Sequence, residues 1–282
     1  MHVASEFAVV CLSLAAAVSW GAADFVGGNV SKRTHVAGVV GAAYATGLVV
    51  LTTLALLTHE PFPSWQPLAW GGLAGVIGAV GLLTLYGALS VGKMGITAPV
   101  CAVIGAALPI GVGVFRQGLP QALQIFGFLL ALVALWFLAK PEQVGQGAPK
   151  GLGLAIIAGV ATGLFLVIIR QAGNTALFWP IAAARLSSTL TIALVGIVSR
   201  RPWLPDRRLL PLIIVAGTLD AFGNALFLAA AQRGRLDISA VLSSLYPAVT
   251  IGLAALLLKE RMTRLQTVGV AAAIVAIPLI AR

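Results

Sequence analysis

The chain has 282 residues, of which 60% are apolar and only 9% charged, with a mean hydropathy of +1.03. A soluble domain carries about a quarter charged residues, so this composition excludes one and leaves room for roughly ten membrane spans of about 20 residues. The formal charge of +10 is not a nucleic-acid footprint, because Lys and Arg stand singly or in small groups between apolar runs, as in loops at lipid headgroups.

The predicted elements are ten apolar segments, at about 6–29, 35–58, 67–91, 94–116, 121–139, 151–170, 177–199, 208–231, 236–258 and 264–281. No Lys or Arg precedes the first, and its apolar run continues past Ala15-Ala16-Ala17, so it reads as a span rather than a cleaved leader. It carries Trp20 and Asp24 one helical turn apart on one face. Tyr44 falls in the second segment and Tyr86 in the third, where Gly71, Gly75, Gly78 and Gly81 offer a smooth face for close helix packing. The least apolar connections are 58–66, 141–150 and 199–208. Arg185 lies inside the seventh segment, and Asp220 and Asn224 share one face of the eighth. The ninth runs through Ser243 and Ser244 into Tyr246-Pro247 and ends at Lys259-Glu260-Arg261. Proline removes a backbone donor and clashes with the carbonyl four residues back, so a kink is expected at Pro247, tolerated where a cavity or neighbour satisfies the freed carbonyl. Glu260 reads as a cap or loop ion pair. Trp65, Trp70, Trp136, Trp179 and Trp203 fall at or near segment ends and read as interfacial anchors.

The two halves match each other. Adding 142 to a residue number carries Gly21 to Gly163, Gly81 to Gly223, Ala88 to Ala230, Gly92 to Gly234, Gln124 to Gln266 and Gly127 to Gly269. Small apolar matches are cheap in such a composition; the gapless offset and the Gln-x-x-Gly pair weigh more. Each half holds five segments. Five is odd, so the second half enters the membrane upside down, the inverted-repeat design whose site lies at the repeat interface near the midplane. The expected layout is a first repeat over 1–140, a linker at 141–150 and a second, inverted repeat over 151–282. Loops after odd-numbered segments hold twelve basic residues: Lys32, Arg33, Lys93, Lys140, Lys150, Arg200, Arg201, Arg207, Arg208, Lys259, Arg261 and Arg264. The opposite side holds five: Arg116, Arg170, Arg233, Arg235 and Arg282. The positive-inside rule then puts both termini outside the cytoplasm.

Ionisable groups at membrane depth are costly and tend to face a cavity or a partner, which selects Asp24, Arg185 and Asp220. Asp220 and Asn224 are candidates for substrate or ion contact, against the alternative of a structural ion pair between Asp220 and Arg185. Asp24 with Trp20 reads as a pathway carboxylate beside an aromatic wall, against pairing with Lys32 or Arg33. A low dielectric favours the neutral form of a carboxylate, so Asp24 and Asp220 are also the residues available to carry a proton as coupling ion. Tyr44, Tyr86, Tyr246 and Ser243 complete the candidate lining; for Tyr44 and Tyr86, packing between helices competes. Arg185 is placed to face a carboxylate and Asp220 or Asp24 an ammonium, which suits an amino acid.

Enzyme signatures fail. Gly87-x4-Gly92-Lys93 approaches a phosphate-binding loop, but Met94 replaces the required Ser or Thr. His2, His35 and His59 have no metal spacing, and no nucleophile or zinc motif occurs, so no catalytic residue, metal or cofactor is expected.

These residues together resemble the ten-helix EamA-type branch of the drug/metabolite transporter superfamily. The resemblance is carried by Trp20-Gly21 with Asp24-Phe25, by Ala88-Leu89, and by Ser243-Ser244-Leu245-Tyr246-Pro247, then Leu258-Lys259-Glu260-Arg261-Met262-Thr263, Gln266 and Gly269. It implies an all-α integral membrane protein of ten transmembrane helices in two inverted repeats. It also implies a carrier moving small polar metabolites, often amino acids, out across the cell (inner) membrane. The first repeat departs from the pattern, with Gly105 where the second has Pro247 and Gly118 where it has Glu260. The expected partners are the lipid bilayer and a small-molecule substrate, not nucleic acid, and the protein acts as a monomer or homodimer. The competing readings are a membrane-embedded enzyme or lipid-handling protein, and a passive channel.

Overall fold

Hydrocarbon offers a backbone no water to bond, so a spanning segment must satisfy its own N–H and C=O groups, which a helix does. The computed structural model describes residues 2–92, 94–139, 150–173, 175–199, 204–259 and 262–281, and among these it is helical with no strand. The elements are α1 (His2–Ser31), α2 (Val36–Leu57), α3 (Trp65–Val91), α4 (Met94–Gln117), α5 (Ala122–Ala139), α6 (Leu152–Arg170) and α7 (Phe178–Ser199). A 3-10 turn at Arg207–Leu209 leads into α8 (Leu210–Arg233), followed by α9 (Leu236–Ser243), α10 (Tyr246–Leu257) and α11 (Arg264–Ile280). Eight spans among the described residues are long and apolar enough to cross a membrane; Ala122–Leu138 and Arg264–Ile280 are shorter apolar helices. Lys93, Lys140, Arg200, Arg201, Trp203, Glu260, Arg261, Arg282 and the linker at 141–149 lie outside the described residues.

The ninth apolar segment differs from expectation in one respect. It is not one helix kinked at Pro247 but two helices, broken at Ser244 and Leu245. Pro247 sits in the first turn of α10, where its missing N–H has no helical partner to lose. The break is held by the Ser244 hydroxyl, which donates to the Val241 carbonyl at 2.7 Å, and by the Ala248 N–H, which donates to the Leu245 carbonyl at 3.0 Å.

Packing follows a reciprocal scheme. Helix α1 lies along α8 and α6 along α3; α4 meets α6 while α9 and α10 meet α1; α2 crosses α7, and α5 pairs with α11. Small residues allow the close crossings. A Cβ on Gly127 would sit 2.7 Å from Ile280 Cγ1, and one on Gly269 would sit 3.0 Å from Leu138 Cγ. The Gln-x-x-Gly pair also starts these two helices. Gln121 N–H donates to Gln124 Oε1 at 3.1 Å, and Thr263 N–H to Gln266 Oε1 at 3.0 Å, satisfying donors that a helix start leaves free.

Where α1 begins, the connections between helices are tied together. Gly234 packs on Val9, and the adjacent Arg235 guanidinium donates to the Gln117 and Gly118 carbonyls at 3.1 and 2.7 Å and pairs with Asp237 at 2.6 Å. Arg170 Nε donates to the Ala231 carbonyl at 2.8 Å, and Gln232 Nε2 reaches the Gly173 and Ala176 carbonyls. Next to these, the Glu60 carboxylate accepts from the N–H groups of Leu177, Phe178 and Trp179, while Trp179 Nε1 donates to the Glu60 carbonyl at 3.1 Å. Glu60 thereby caps α7 from another part of the chain, with its charge at the positive end of the helix dipole. Glu60→Ala removes that cap. The expected loss is about 1–2 kcal/mol of stability, read as a lower melting temperature in detergent and as faster amide exchange at Leu177, Phe178 and Trp179.

Candidate functional site

A polar side chain placed within an apolar bundle must find a partner or a wet space. In this protein most of the candidate set shares one cavity of about 90 Å³, lined from α1, α2, α3, α4, α6, α7, α8, α9 and α10. Trp20, Asp24, Arg185, Asp220, Asn224 and Tyr246 all line it.

Arg185 and Asp220 form a buried ion pair, with Arg185 Nη2 2.7 Å from Asp220 Oδ2. Asn224, one turn after Asp220, donates from Nδ2 to the Asp220 carbonyl at 2.7 Å and to Oδ1 at 3.2 Å. The guanidinium lies 4.8 Å from the centre of the Tyr44 ring, a cation–π distance. Tyr44 is held in turn by its hydroxyl, which donates to the Gly78 carbonyl at 2.6 Å. Arg185 Nε is buried without a hydrogen-bond partner. The charge of Arg185 is therefore already matched by Asp220.

Asp24 stands apart from this arrangement. It is 5% exposed and lines the same cavity, yet among the described residues it makes no hydrogen bond and no ion pair. Lys32 and Arg33 are exposed beyond the end of α1 and do not pair with it. Trp20, one turn earlier, packs against Gly223 and lies tilted at 5.7 Å from the Phe227 ring.

Two candidates lie outside the lining. Tyr86 is fully buried, its ring filling the space beside Gly27 and its hydroxyl donating to the Ala23 carbonyl at 3.2 Å. Ser243 is also fully buried and donates to the Ser13 carbonyl at 3.2 Å. Tyr44 lines the polar wall, to which the structure adds Ser188 and Ser244, and Leu82, Leu85, Phe165 and Leu166 form an apolar one. The chemistry this set offers is charge matching and apolar contact.

Residues 149–282 match the EamA-like transporter family. The chain is 26% identical over 130 residues to an uncharacterized protein, MJ1333.1, of Methanocaldococcus jannaschii, a match covering 46% of this chain and 92% of that protein. A protein of known crystal structure superposes with a TM-score of 0.74 at 16% identity, over 96% of this chain and 95% of the other, and so shares the fold. The sequence signature, the helical membrane architecture and the family match over residues 149–282 all support EamA-type membership.

Proposed function

We propose that the protein is a secondary carrier that exports small polar metabolites, amino acids or related compounds, across the cell (inner) membrane. Ten spans form two inverted five-helix repeats, 1–140 and 151–282, joined at 141–150, and the cargo passes by alternating access. Both termini face away from the cytoplasm. Asp24 and Asp220 are the groups available to carry a coupling proton.

The observation that carries this reading is the make-up of the cavity wall. Under the offset of 142, Trp20 matches Thr162, Asp24 matches Leu166, Gly78 matches Asp220, Leu82 matches Asn224 and Ala102 matches Ser244, and both members of every pair line the cavity. A chamber built from equivalent positions of two repeats is where an alternating-access carrier places its cargo. The close crossings support the same view. Gly223 packs on Trp20 while Gly81 packs on Thr162, and Gly127 meets Ile280 while Gly269 meets Leu138. MJ1333.1 is about half as long as this chain, the size of one repeat.

Reconstituted into proteoliposomes with a panel of labelled metabolites, the protein should give saturable uptake accelerated by unlabelled cargo on the opposite side. Flux without such counterflow would mark a channel, and a chemically altered product would mark an enzyme.

A further inference from the structure

Resting on the carrier reading, we propose that the cargo of this cavity is a small monocation with an apolar body, its ammonium meeting Asp24. The formal charges in the lining are two carboxylates, Asp24 and Asp220, against one guanidinium, Arg185. Since Arg185 and Asp220 are joined at 2.7 Å, Asp24 alone is left without a counter-charge among the described residues. An uncompensated buried charge is strongly unfavourable; a proton removes it in the empty chamber, and a bound cation takes the proton's place in the filled one. With Asp24 ionised, a zwitterion would leave the filled chamber one charge negative, and an anion two. A cargo carboxylate would also have to compete with Asp220 for the guanidinium, which is already in place over the Tyr44 ring.

The rest of the wall fits an amine with a hydrocarbon part. Trp20 lies one turn from Asp24 on the same side of α1 and offers an aromatic ring to an ammonium. Leu82, Leu85, Phe165 and Leu166 supply the apolar contact. The cavity, about 90 Å³, has room for several waters and so suits a compact molecule. Amino-acid-like compounds that lack a free carboxylate meet all of these conditions.

The test is a charge series on one apolar body: 2-phenylethylamine, phenylalanine, 3-phenylpropionate and 2-phenylethanol, measured at neutral pH by calorimetric binding to the full chain in detergent. The amine should bind on the order of tenfold or more tightly than the other three. In Asp24→Asn, which is isosteric, that preference should vanish, with the amine falling to the level of the unchanged alcohol; Asp24→Glu should keep the preference. Tightest binding by phenylalanine or phenylpropionate would overturn the proposal, as would an amine preference that survives Asp24→Asn or binding of none of the four. Counterflow with the broader metabolite panel decides the carrier reading separately, whichever head group wins.

Discussion

Replacing Arg185 with leucine should destabilise the protein by about 3–5 kcal/mol, because it leaves the Asp220 carboxylate buried with no opposite charge. Asp220 is 9% exposed, and its remaining side-chain contact is the Asn224 amide at 3.2 Å, which cannot replace a guanidinium at 2.7 Å. The double variant Arg185→Leu with Asp220→Asn should recover most of that loss, since no buried charge is then left to solvate. Chemical denaturation in mixed micelles reads the effect, and the double-mutant cycle isolates the coupling. Additive single and double losses would show that the pair is solvated independently and that the cavity wall is not organised by it. Tyr44→Leu probes the same group from its other side; it removes the ring under the guanidinium and the hydrogen bond to Gly78, and its cost should fall when Arg185 is already absent.

The second large effect concerns two glycines. Valine at Gly75 would drive a Cβ into the Ala184 carbonyl and the Ser187 hydroxyl, and valine at Gly217 would drive one into the backbone of Ala43. Overpacking ordinarily costs about 1–3 kcal/mol, but the obstacle at both sites includes main chain in a neighbouring helix, which cannot rotate away. Both variants should fail to yield monodisperse protein after size exclusion in detergent. Gly72→Val is the control, since nothing lies within 4 Å of a Cβ there, and it should purify like the parent chain. The two failing positions are also 142 residues apart, so equal sensitivity is the packing signature expected of the proposed repeat.

Much of the fold was legible because lipid imposes a simple grammar. Apolar runs of span length have to be helices, and every predicted segment contains one. The Gln-x-x-Gly pair was visible as a pattern, while its meaning, a helix-starting bond followed by a close crossing, needed coordinates. The break before Pro247 was misplaced by about a turn, because proline is equally at home in a first helical turn and at a kink. For the site, rarity of charge at membrane depth was enough to select Asp24, Arg185 and Asp220, and helical spacing added Asn224 beside Asp220. It could not tell which of them pair, because Arg185 to Asp220 is a contact between helices whose rotation the sequence does not encode locally. The same limit hid Ser188 and Ser244, left Tyr44 open between lining and packing, and let in Tyr86 and Ser243, since a tyrosine or serine on an apolar helix faces a cavity or a carbonyl with similar ease.

The ties where α1 begins bear on speed more than on recognition. Opening that end requires the Glu60 bonds to three amide groups and the Arg235 grip on 117 and 118 to come apart, and none of these atoms borders the chamber. In the alternating-access carrier proposed above, this hub would hold part of the kinetic barrier at a distance from the cargo, so loosening it should raise turnover or leak while leaving affinity as it was.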